Sequence, residues 1–364
     1  MSKLKILAIH NVGFDETSKE SGVAIWRLYR PLEELKKHVD WQIDYQKTFI
    51  KDIAKYKDLS EFTEAEVNKA GEHLGSYDIV WSSYHADFAA HCLMMAVCNR
   101  YGTKFILDDD DNTFAIEPEN PFWVNMTDEQ AFYMQRILRT SKYITTTTQN
   151  LADVFKKRNE ENAKIYVMPN YISDVYPETE PDNGDKVVIG FFGGSNHYID
   201  FEETGIEKAL QRIMHDYKNV HFTSVGVPIK TYVPKARYHL KDVMFGRKFA
   251  TELFPTLKFD IGVAPVRQSI FSDGKSNIKW QEYTRMGAAF VGSNTGPYKG
   301  LSKDVAVLVE NTEEAWYNAL KSLVESAAKR KALVKSARKD LKANYRLENH
   351  WQDYKKVLEE IAND

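Results

Sequence analysis

Short apolar runs alternate with amphipathic segments along nearly the whole 364-residue chain. This alternation is typical of a parallel sheet whose buried strands are covered by helices. One polar, proline-bearing segment, SDVYPETEPDNGDK, interrupts the alternation, and the run VVIGFFGG then restarts it with a new strand and a glycine turn. A composition shift of this kind is typical of a linker between domains. The sequence therefore predicts an α/β protein with two Rossmann-like domains in tandem.

The first predicted domain covers residues 1–175 and consists of βαβ units. Its strands are expected at residues 4–9, 41–45, 79–81, 104–107, 143–146 and 165–167. Its helices are expected at residues 24–38, 86–100 and 150–158.

The linker is predicted at residues 176–186 and the second domain at residues 187–343. Strands are expected there at residues 187–192, 220–225, 261–264 and 289–293, and helices at residues 201–216 and 278–286. The last part of the chain is expected to be helical, because it carries many opposite charges at i,i+4 spacing.

Charge and cysteine content narrow the classes of function. A formal net charge of −3 gives no general attraction to nucleic acid, so such contact would need a local basic patch. Cys92 and Cys98 fall in one predicted helix and are poorly placed to pair, which favours a reducing compartment. The N-terminal apolar run is too short for a signal peptide, and no run approaches the roughly 18 apolar residues of a membrane span. We expect a cytoplasmic protein without membrane insertion.

Residues that directly follow strands are the first candidates for a site, because open α/β sheets bind ligands beyond the carboxyl ends of their strands. After the first strand, the loop with Gly13 leads to Ser21 and Gly22 at the start of a helix, whose free N–H groups could face an anion. The same loop could be only a flexible turn. His85 follows the third predicted strand at a helix start, where it could serve in proton transfer or simply cap the helix.

Four aspartates, Asp108 to Asp111, follow the fourth predicted strand in the segment KFILDDDDNTF. Side chains alternate along an extended segment, so these four carboxylates cannot readily share one face. Their mutual repulsion calls for a cation, hydrogen-bond donors or open water. One or two of them could accept hydrogen bonds from sugar hydroxyls, and at least two are expected to be solvated or structural.

The second domain begins with a strand that ends in Gly193 and Gly194, where missing side chains would let a phosphate approach the backbone. His197 and Asp200 follow on the turn into a helix. Later in this domain, Lys275, Lys279 and Glu282 are spaced by four and three residues, which predicts one side of a helix. Lys275 could add charge at a phosphate-binding helix end, and Glu282 could accept both hydroxyls of a ribose. A structural trio of salt-bridged residues is the alternative.

The order of these segments resembles the GT-B glycosyltransferases, specifically the large retaining group called family 4. The resemblance covers nearly the whole chain. It is carried by SGVAIWRLYRPLEEL, ILDDDDNTFAIEPENP, SKYITTTTQNLADVFKKRN with VMPNYI, GFFGGSNHYIDFEETGIEKAL, FDIGVAPV and KSNIKWQEYTRMGAAFVGSNTGPY.

The resemblance implies a nucleotide-sugar donor, with a UDP-sugar expected, bound in a cleft between the domains. It places Glu282 at the ribose, Lys275 and Ser276 with the two glycines at the diphosphate, and the His197/Asp200 pattern near the donor. It places His85, Asp109 and Asp110 on the acceptor side as candidate catalytic residues. It also implies that the final helix, residues 344–364, packs back on the first domain.

Two positions depart from the family pattern. The glutamate common eight residues before the one matching Glu282 is replaced by Gly274, with Asp273 beside it. The common arginine after the glycine turn is absent, which leaves Lys275, with Lys279 or Arg247, to balance the diphosphate.

The resulting hypothesis is transfer of a sugar from a nucleoside diphosphate to an acceptor hydroxyl, with retention of configuration and without a metal. The aspartate run suggests the Asp-x-Asp metal motif of the GT-A architecture, but the tandem organisation argues against it. Two alternatives stay open: an enzyme that glycosylates a hydroxymethylated base in DNA, and a non-catalytic module that binds a sugar nucleotide or a glycan.

Overall fold

The computed structural model describes residues 3–10, 22–47, 63–83, 88–120, 128–229 and 233–364. The chain divides into two compact units. Unit 1 comprises Met1–Phe114, Asn125–Asn170 and Leu347–Asp364, and unit 2 comprises Ala115–Val124 and Tyr171–Arg346. Within the described ranges, no helix has the length and apolar character needed to cross a membrane.

Unit 1 is built on a parallel sheet. Its strands are β1 (Lys5–His10), β2 (Gln42–Lys47), β3 (Ile79–Ser83), β4 (Lys104–Asp108), β5 (Tyr143–Thr146) and β6 (Lys164–Val167). They pair in the order β2-β1-β3-β4-β5-β6. Its helices before unit 2 are α1 (Arg30–Lys36), α2 (Glu64–Leu74), α3 (Phe88–Tyr101), α4 (Asp128–Thr140) and α5 (Gln149–Arg158). All six strands predicted for this domain are present, with ends within two residues of the prediction.

The first predicted helix of unit 1 differs from the expected regular α-helix. Ala24–Tyr29 forms a π-helical turn, and α1 follows it. Pro31 lies in the first turn of α1 and has no N–H to donate to a preceding carbonyl, so the regular i→i−4 ladder is interrupted here. The side chain of Arg27 lies in this turn and is fully buried.

Helices α2 and α4 were not predicted, although α2 carries a readable start signal. The Thr63 hydroxyl accepts the Glu66 N–H, and the Glu66 carboxylate accepts the Thr63 N–H. This reciprocal capping box satisfies two free N–H groups at the helix start, and the T-x-x-E spacing that encodes it is visible in the sequence.

Unit 2 is built on a second parallel sheet. Its strands are β7 (Val187–Phe192), β8 (Val220–Val225), β9 (Tyr238–Lys241), β10 (Ile261–Ala264), β11 (Ala289–Ser293) and β12 (Val307–Val309). They pair in the order β12-β11-β10-β7-β8-β9. Its helices are α6 (Tyr198–Glu203), α7 (Ile206–Asp216), α8 (Gly246–Lys248), α9 (Ile270–Asp273), α10 (Ile278–Met286), α11 (Glu313–Val324) and α12 (Ala327–Asn344). The prediction of an α/β fold with two parallel-sheet domains is confirmed.

The helix predicted at residues 201–216 is two helices, α6 and α7, which meet at Gly205. Its φ is +81°, a left-handed conformation that favours glycine. A Cβ atom at this position would lie 2.6 Å from the backbone nitrogen of Glu313, at the start of α11. The close approach of α11 therefore explains both the glycine and the break.

The segment predicted as a linker, residues 176–186, belongs to unit 2 and packs along α10. Tyr176 is buried, and its carbonyl accepts the Nε–H of Arg285 at 2.8 Å. The Thr179 N–H donates to the Arg285 carbonyl at 3.1 Å. These contacts fix the segment on the surface of the second sheet domain.

The last helix, α13 (Trp351–Ala362), belongs to unit 1. The indole ring of Trp351 stacks on the imidazole of His38 with centroids 4.3 Å apart. At its end, the Tyr143 hydroxyl donates to the Asp364 carboxylate at 2.6 Å. The chain thus returns to unit 1 after completing unit 2.

Candidate functional site

The glycine turn predicted after the first strand of unit 2 follows β7. The N–H of Gly193 donates to the Val225 carbonyl at 3.1 Å, which holds the turn against β8. A Cβ atom on Gly193 would lie 2.8 Å from the Cδ2 atom of His197 and 2.9 Å from the ring of Phe191. A side chain at residue 193 would therefore displace the imidazole, so this glycine is needed for packing as well as for an open backbone.

A second glycine that the sequence analysis did not single out supports this turn. Gly226, after β8, has a φ of +83°, and a Cβ atom there would lie 2.3 Å from the Gly193 carbonyl oxygen. The same Cβ atom would lie 3.2 Å from Val243, the first of three exposed apolar residues with Met244 and Phe245. The glycine turn thus has an apolar surface beside it.

His197 forms a hydrogen-bonded pair with Asp200 at the start of α6. Its Nδ1 lies 2.9 Å from Oδ2 of Asp200, and Oδ1 of the same carboxylate accepts the backbone N–H of Arg267 at 2.9 Å. Burial lowers the pKa of His197 to about 4, and the nearby charge of Lys279 acts in the same direction. The imidazole is therefore neutral at physiological pH.

Lys279 and Glu282 lie on α10, where Glu282 is buried and Lys279 is half-buried. The Nζ of Lys279 donates to the Phe192 carbonyl at 2.8 Å. Burial lowers the pKa of Lys279, and burial raises the pKa of Glu282, which also accepts a hydrogen bond from Tyr176. The charge of each group favours the ionised form of the other, so Lys279 and Glu282 interact electrostatically beside the glycine turn.

The structure corrects the placement of Lys275 on the face of α10. Lys275 and Ser276 lie in the loop before α10, because the backbone N–H of Lys275 donates to the Ser272 carbonyl at the end of α9. The short helix α9 is fixed by its own capping residue, Ser269. The Nζ of Lys275 lies 4.4 Å from the ring centroid of Phe271, a cation–π contact.

Arg267 is a cation of this site that the sequence analysis missed. Its guanidinium bonds the carboxylate of Glu117 and lies 3.4 Å from that of Glu119 and 3.3 Å from that of Glu203. Arg267 comes three residues after β10, so the strand-end rule could have found it. Its three carboxylate partners are far away in sequence or on another helix, and no spacing announces them.

A small cleft in unit 2 brings several of these side chains together. The residues that line it include His197, Asp200, Arg267, Lys275, Glu117 and Asn120. Its volume of about 20 Å³ is room for about one water molecule. The predicted donor residues Lys275, His197 and Asp200 therefore share one cleft.

In unit 1, the first of the four aspartates is engaged in a buried ion pair. Oδ1 and Oδ2 of Asp108 accept Nη2–H and Nε–H of Arg27 at 2.8 and 3.0 Å. The Thr145 hydroxyl donates to Asp108 at 2.6 Å. Arg27 also donates to the Met168 carbonyl and to Asn170. This network ties the π-helical turn to the carboxyl ends of β4, β5 and β6.

The second aspartate also turns toward the protein. The Asp109 carboxylate accepts the Asp111 N–H at 3.4 Å and the Thr113 hydroxyl at 3.5 Å, and only 5% of the residue is exposed. Burial, followed by the charge of Asp110, raises the pKa of Asp109 well above its ordinary value. Asp110 and Asp111 are partly exposed. Among the described residues, no group of three or more His, Cys, Asp or Glu side chains could hold a metal ion.

Five predicted site residues remain, of which three lie outside the described residues and two are exposed. Gly13, Ser21 and His85 lie outside the described residues. Gly22 is exposed, and a Cβ atom there would have nothing within 4 Å. Arg247 lies on α8 and is exposed.

Comparison with known proteins identifies the fold. No protein-family model matches the chain, and no curated protein sequence matches it significantly. Solved structures do match over the whole length. Sucrose-phosphate synthase of Thermosynechococcus elongatus is similar with a TM-score of 0.68 and 12% identity, covering 99% of each chain. HepE of Anabaena, solved with UDP and glucose, is similar with a TM-score of 0.66 and 13% identity, covering 98% of this chain and 100% of that one.

A Listeria monocytogenes protein proposed to be a UDP-N-acetylglucosamine 2-epimerase is also similar, with a TM-score of 0.54 and 15% identity, covering 99% of this chain and 98% of that one. These matches show that the chain has the GT-B fold, as predicted. At such low identities the likeness concerns the fold, and function must be argued from the site.

Proposed function

We propose that this protein is a glycosyltransferase that moves a sugar from a UDP-sugar to an acceptor hydroxyl, and that unit 2 binds the donor. The observation that carries the proposal is the placement of Lys279 and Glu282 on α10, beside the glycine turn. A cation next to a glycine turn suits a diphosphate, and a buried carboxylate suits a ribose diol. The structural neighbour HepE was solved with UDP and glucose, which supports UDP-sugar chemistry on this fold.

Each part of the donor has a proposed partner in unit 2. Lys275 and Lys279 balance the diphosphate, and Glu282 accepts the ribose hydroxyls. The exposed side chain of Val243, beside the glycine turn, and the exposed ring of Phe245 two residues later offer an apolar surface to the nucleobase. In this assignment the lysines face the negative diphosphate, the carboxylate faces hydroxyl donors, and the apolar side chains face the flat base.

The proposed chemistry is displacement of the diphosphate by the acceptor hydroxyl. Lys275 stabilises the negative charge that builds on the leaving diphosphate, an electrostatic contribution that grows in the transition state. Retention, through front-face attack with a donor phosphate oxygen receiving the acceptor proton, and independence from a metal are proposed from the family 4 resemblance. Asp109, Asp110 and His85 are proposed for the acceptor side.

The direct test is incubation of the purified protein with a panel of UDP-sugars, followed by assay of released UDP and of glycosylated acceptor. We expect turnover of at least one UDP-sugar, with activity unchanged by EDTA. Turnover that EDTA abolishes and Mg²⁺ or Mn²⁺ restores would contradict the metal-free mechanism. Interconversion of the UDP-sugar without release of UDP would show an epimerase instead.

Donor affinity is expected to rise with pH as the Glu282 carboxylate ionises, and to fall again at higher pH, where Lys279 loses its proton. Burial raises the pKa of Glu282, so its carboxylate forms at a higher pH than that of an exposed glutamate. A hydrogen bond from a ribose hydroxyl to an ionised carboxylate is about twice as strong as one to a neutral acceptor. Calorimetric titration with a UDP-sugar suits this test, because both of its phosphates are diesters that stay ionised.

The variant Glu282→Gln should bind the donor more weakly and lose this rise with pH. The matched control is Glu252→Gln, at an exposed position in unit 2, which should behave as the wild type. A rise of the same size in Glu282→Gln would remove Glu282 from the ribose site.

A further inference from the structure

The hydrogen bonds of Asp200 indicate that this residue does not bind the donor directly. Both oxygens of Asp200 already receive protein N–H groups, one from His197 and one from the backbone of Arg267, and the residue is only 8% exposed. The Thr204 hydroxyl donates to the Asp200 carbonyl as well. Asp200 is thus held by hydrogen bonds from three residues of unit 2.

The pairing fixes the proton on the imidazole. His197 is neutral, because burial lowers its pKa to about 4. A carboxylate only accepts hydrogen bonds, so a neutral imidazole bonded to it through Nδ1 must carry its proton on Nδ1. The other nitrogen, Nε2, then carries a lone pair. Among the described residues, Asp200 accepts the hydrogen bond of the His197 imidazole.

His197 lines the cleft, so the lone pair on its Nε2 determines which ligand group can bind the imidazole. It repels the oxygens of a phosphate and accepts a hydrogen bond from a hydroxyl. Lys275 lines the same cleft and supplies the cation that a phosphate needs. A neutral acceptor beside a cation therefore suits the junction between a diphosphate and a hydroxylated sugar.

We propose that Asp200 is a positioning residue, which holds His197 as the Nδ1–H tautomer so that Nε2 accepts a hydroxyl of the transferred sugar. This inference rests on the proposed donor site in unit 2. It changes the role predicted for Asp200, which acts through His197 and not by touching the donor.

Asp200→Asn tests the tautomer with little change of shape. The Arg267 N–H requires an oxygen acceptor, so the amide oxygen of Asn stays with Arg267 and its NH₂ group faces His197. That NH₂ group donates to Nδ1, which moves the imidazole proton to Nε2 and turns the acceptor into a donor. The ¹⁵N spectrum of the imidazole, assigned with His197→Phe, should show protonated Nδ1 in the wild type and protonated Nε2 in Asp200→Asn.

The kinetic readout separates sugar from phosphate. We expect Asp200→Asn to lower kcat/KM for the preferred UDP-sugar by about 10- to 100-fold. In this variant Nε2 carries a proton, so the hydroxyl proton of the sugar loses the acceptor that it has in the wild type. Affinity for UDP alone should stay within about twofold of the wild type. In a series of UDP-deoxysugars, one member should show the same kcat/KM for both proteins, and that member identifies the hydroxyl.

The matched control is Asp353→Asn in unit 1, where His350 and Asp353 form a pair with the same three-residue spacing and a 3.0 Å contact. It should leave all kinetic values unchanged. His197→Phe serves if Asp200→Asn fails to fold, and it should cause the same loss for the UDP-sugar and not for UDP.

Three results would overturn the proposal: protonated Nε2 in the wild type, an equal loss of affinity for UDP and UDP-sugar, or a further loss when Asp200→Asn is added to His197→Phe. The last result would mean that Asp200 touches the substrate itself. If no UDP-sugar is turned over by the wild type, the proposed function fails, and the ¹⁵N spectrum still decides the tautomer.

Discussion

Replacing Lys275 with alanine is expected to lower kcat for sugar transfer by about 10²- to 10³-fold, the range found when one group that stabilises transition-state charge is removed. Lys275 lies in the loop between α9 and α10, with its Nζ over the ring of Phe271 and with His197 in the same cleft. Its ammonium would face the leaving diphosphate, where charge grows during the reaction. Steady-state kinetics with a saturating UDP-sugar measure the effect.

The fold should tolerate this change, because the Lys275 side chain is only partly buried and lies in a loop. Lys303→Ala, at an exposed position in the same unit, is the matched control and should keep the wild-type rate. Thermal unfolding of both variants checks that they are folded. A Lys275→Ala variant with the wild-type kcat would exclude this lysine from the reaction.

Replacing Arg27 with methionine is expected to reduce the free energy of unfolding by about 3–5 kcal/mol, the cost of leaving a buried charge without its partner. Arg27 and Asp108 are almost completely buried and share two hydrogen bonds. Asp108 keeps only the Thr145 hydroxyl from this network when the guanidinium is removed. Urea unfolding measures the loss.

Arg212→Met is the matched control, since Arg212 pairs with Glu313 and Glu314 at the surface. Exposed ion pairs contribute only about 0–1 kcal/mol, so this variant should unfold nearly as the wild type does. The double variant Arg27→Met/Asp108→Asn should recover part of the stability, because the unpaired charge is gone. A loss below about 1 kcal/mol in Arg27→Met would contradict the buried pair.

The strands could be predicted because burial leaves a local trace in the sequence. β7, β8, β10 and β11 of unit 2 lie at the predicted residues, since each is a largely buried strand that carries apolar side chains. β9 and β12 were missed because neither is a long, buried strand. Tyr238–Lys241 is largely exposed at the sheet edge, and Val307–Val309 has only three residues.

The partners of the site residues could not be predicted in the same way. Arg27 and Asp108 are 81 residues apart, and only the strand order brings them together. Lys275 was expected to share a face with Lys279, but spacing alone does not reveal that α9 ends just before it. Helical periodicity holds only within one helix, whereas contacts between elements depend on the topology.

The spacing of His197 and Asp200 could be recognised in the sequence, but the contact of Asp200 with Arg267 could not. The backbone N–H of Arg267 occupies one oxygen of Asp200, and this contact spans 67 residues. Gly193 shows the same limit. The sequence suggested that it leaves room for a phosphate, and the structure shows that it leaves room for the imidazole of His197.

A structure of the protein with UDP bound tests the central claim, that unit 2 holds the donor, most directly. We predict the diphosphate within hydrogen-bond distance of Lys275 or Lys279, at the glycine turn after β7, and the ribose hydroxyls on the Glu282 carboxylate. Soaking crystals of the protein with UDP, or co-crystallising the protein with UDP, would provide this structure. UDP bound with its ribose away from Glu282 and its phosphates away from both lysines would contradict the account.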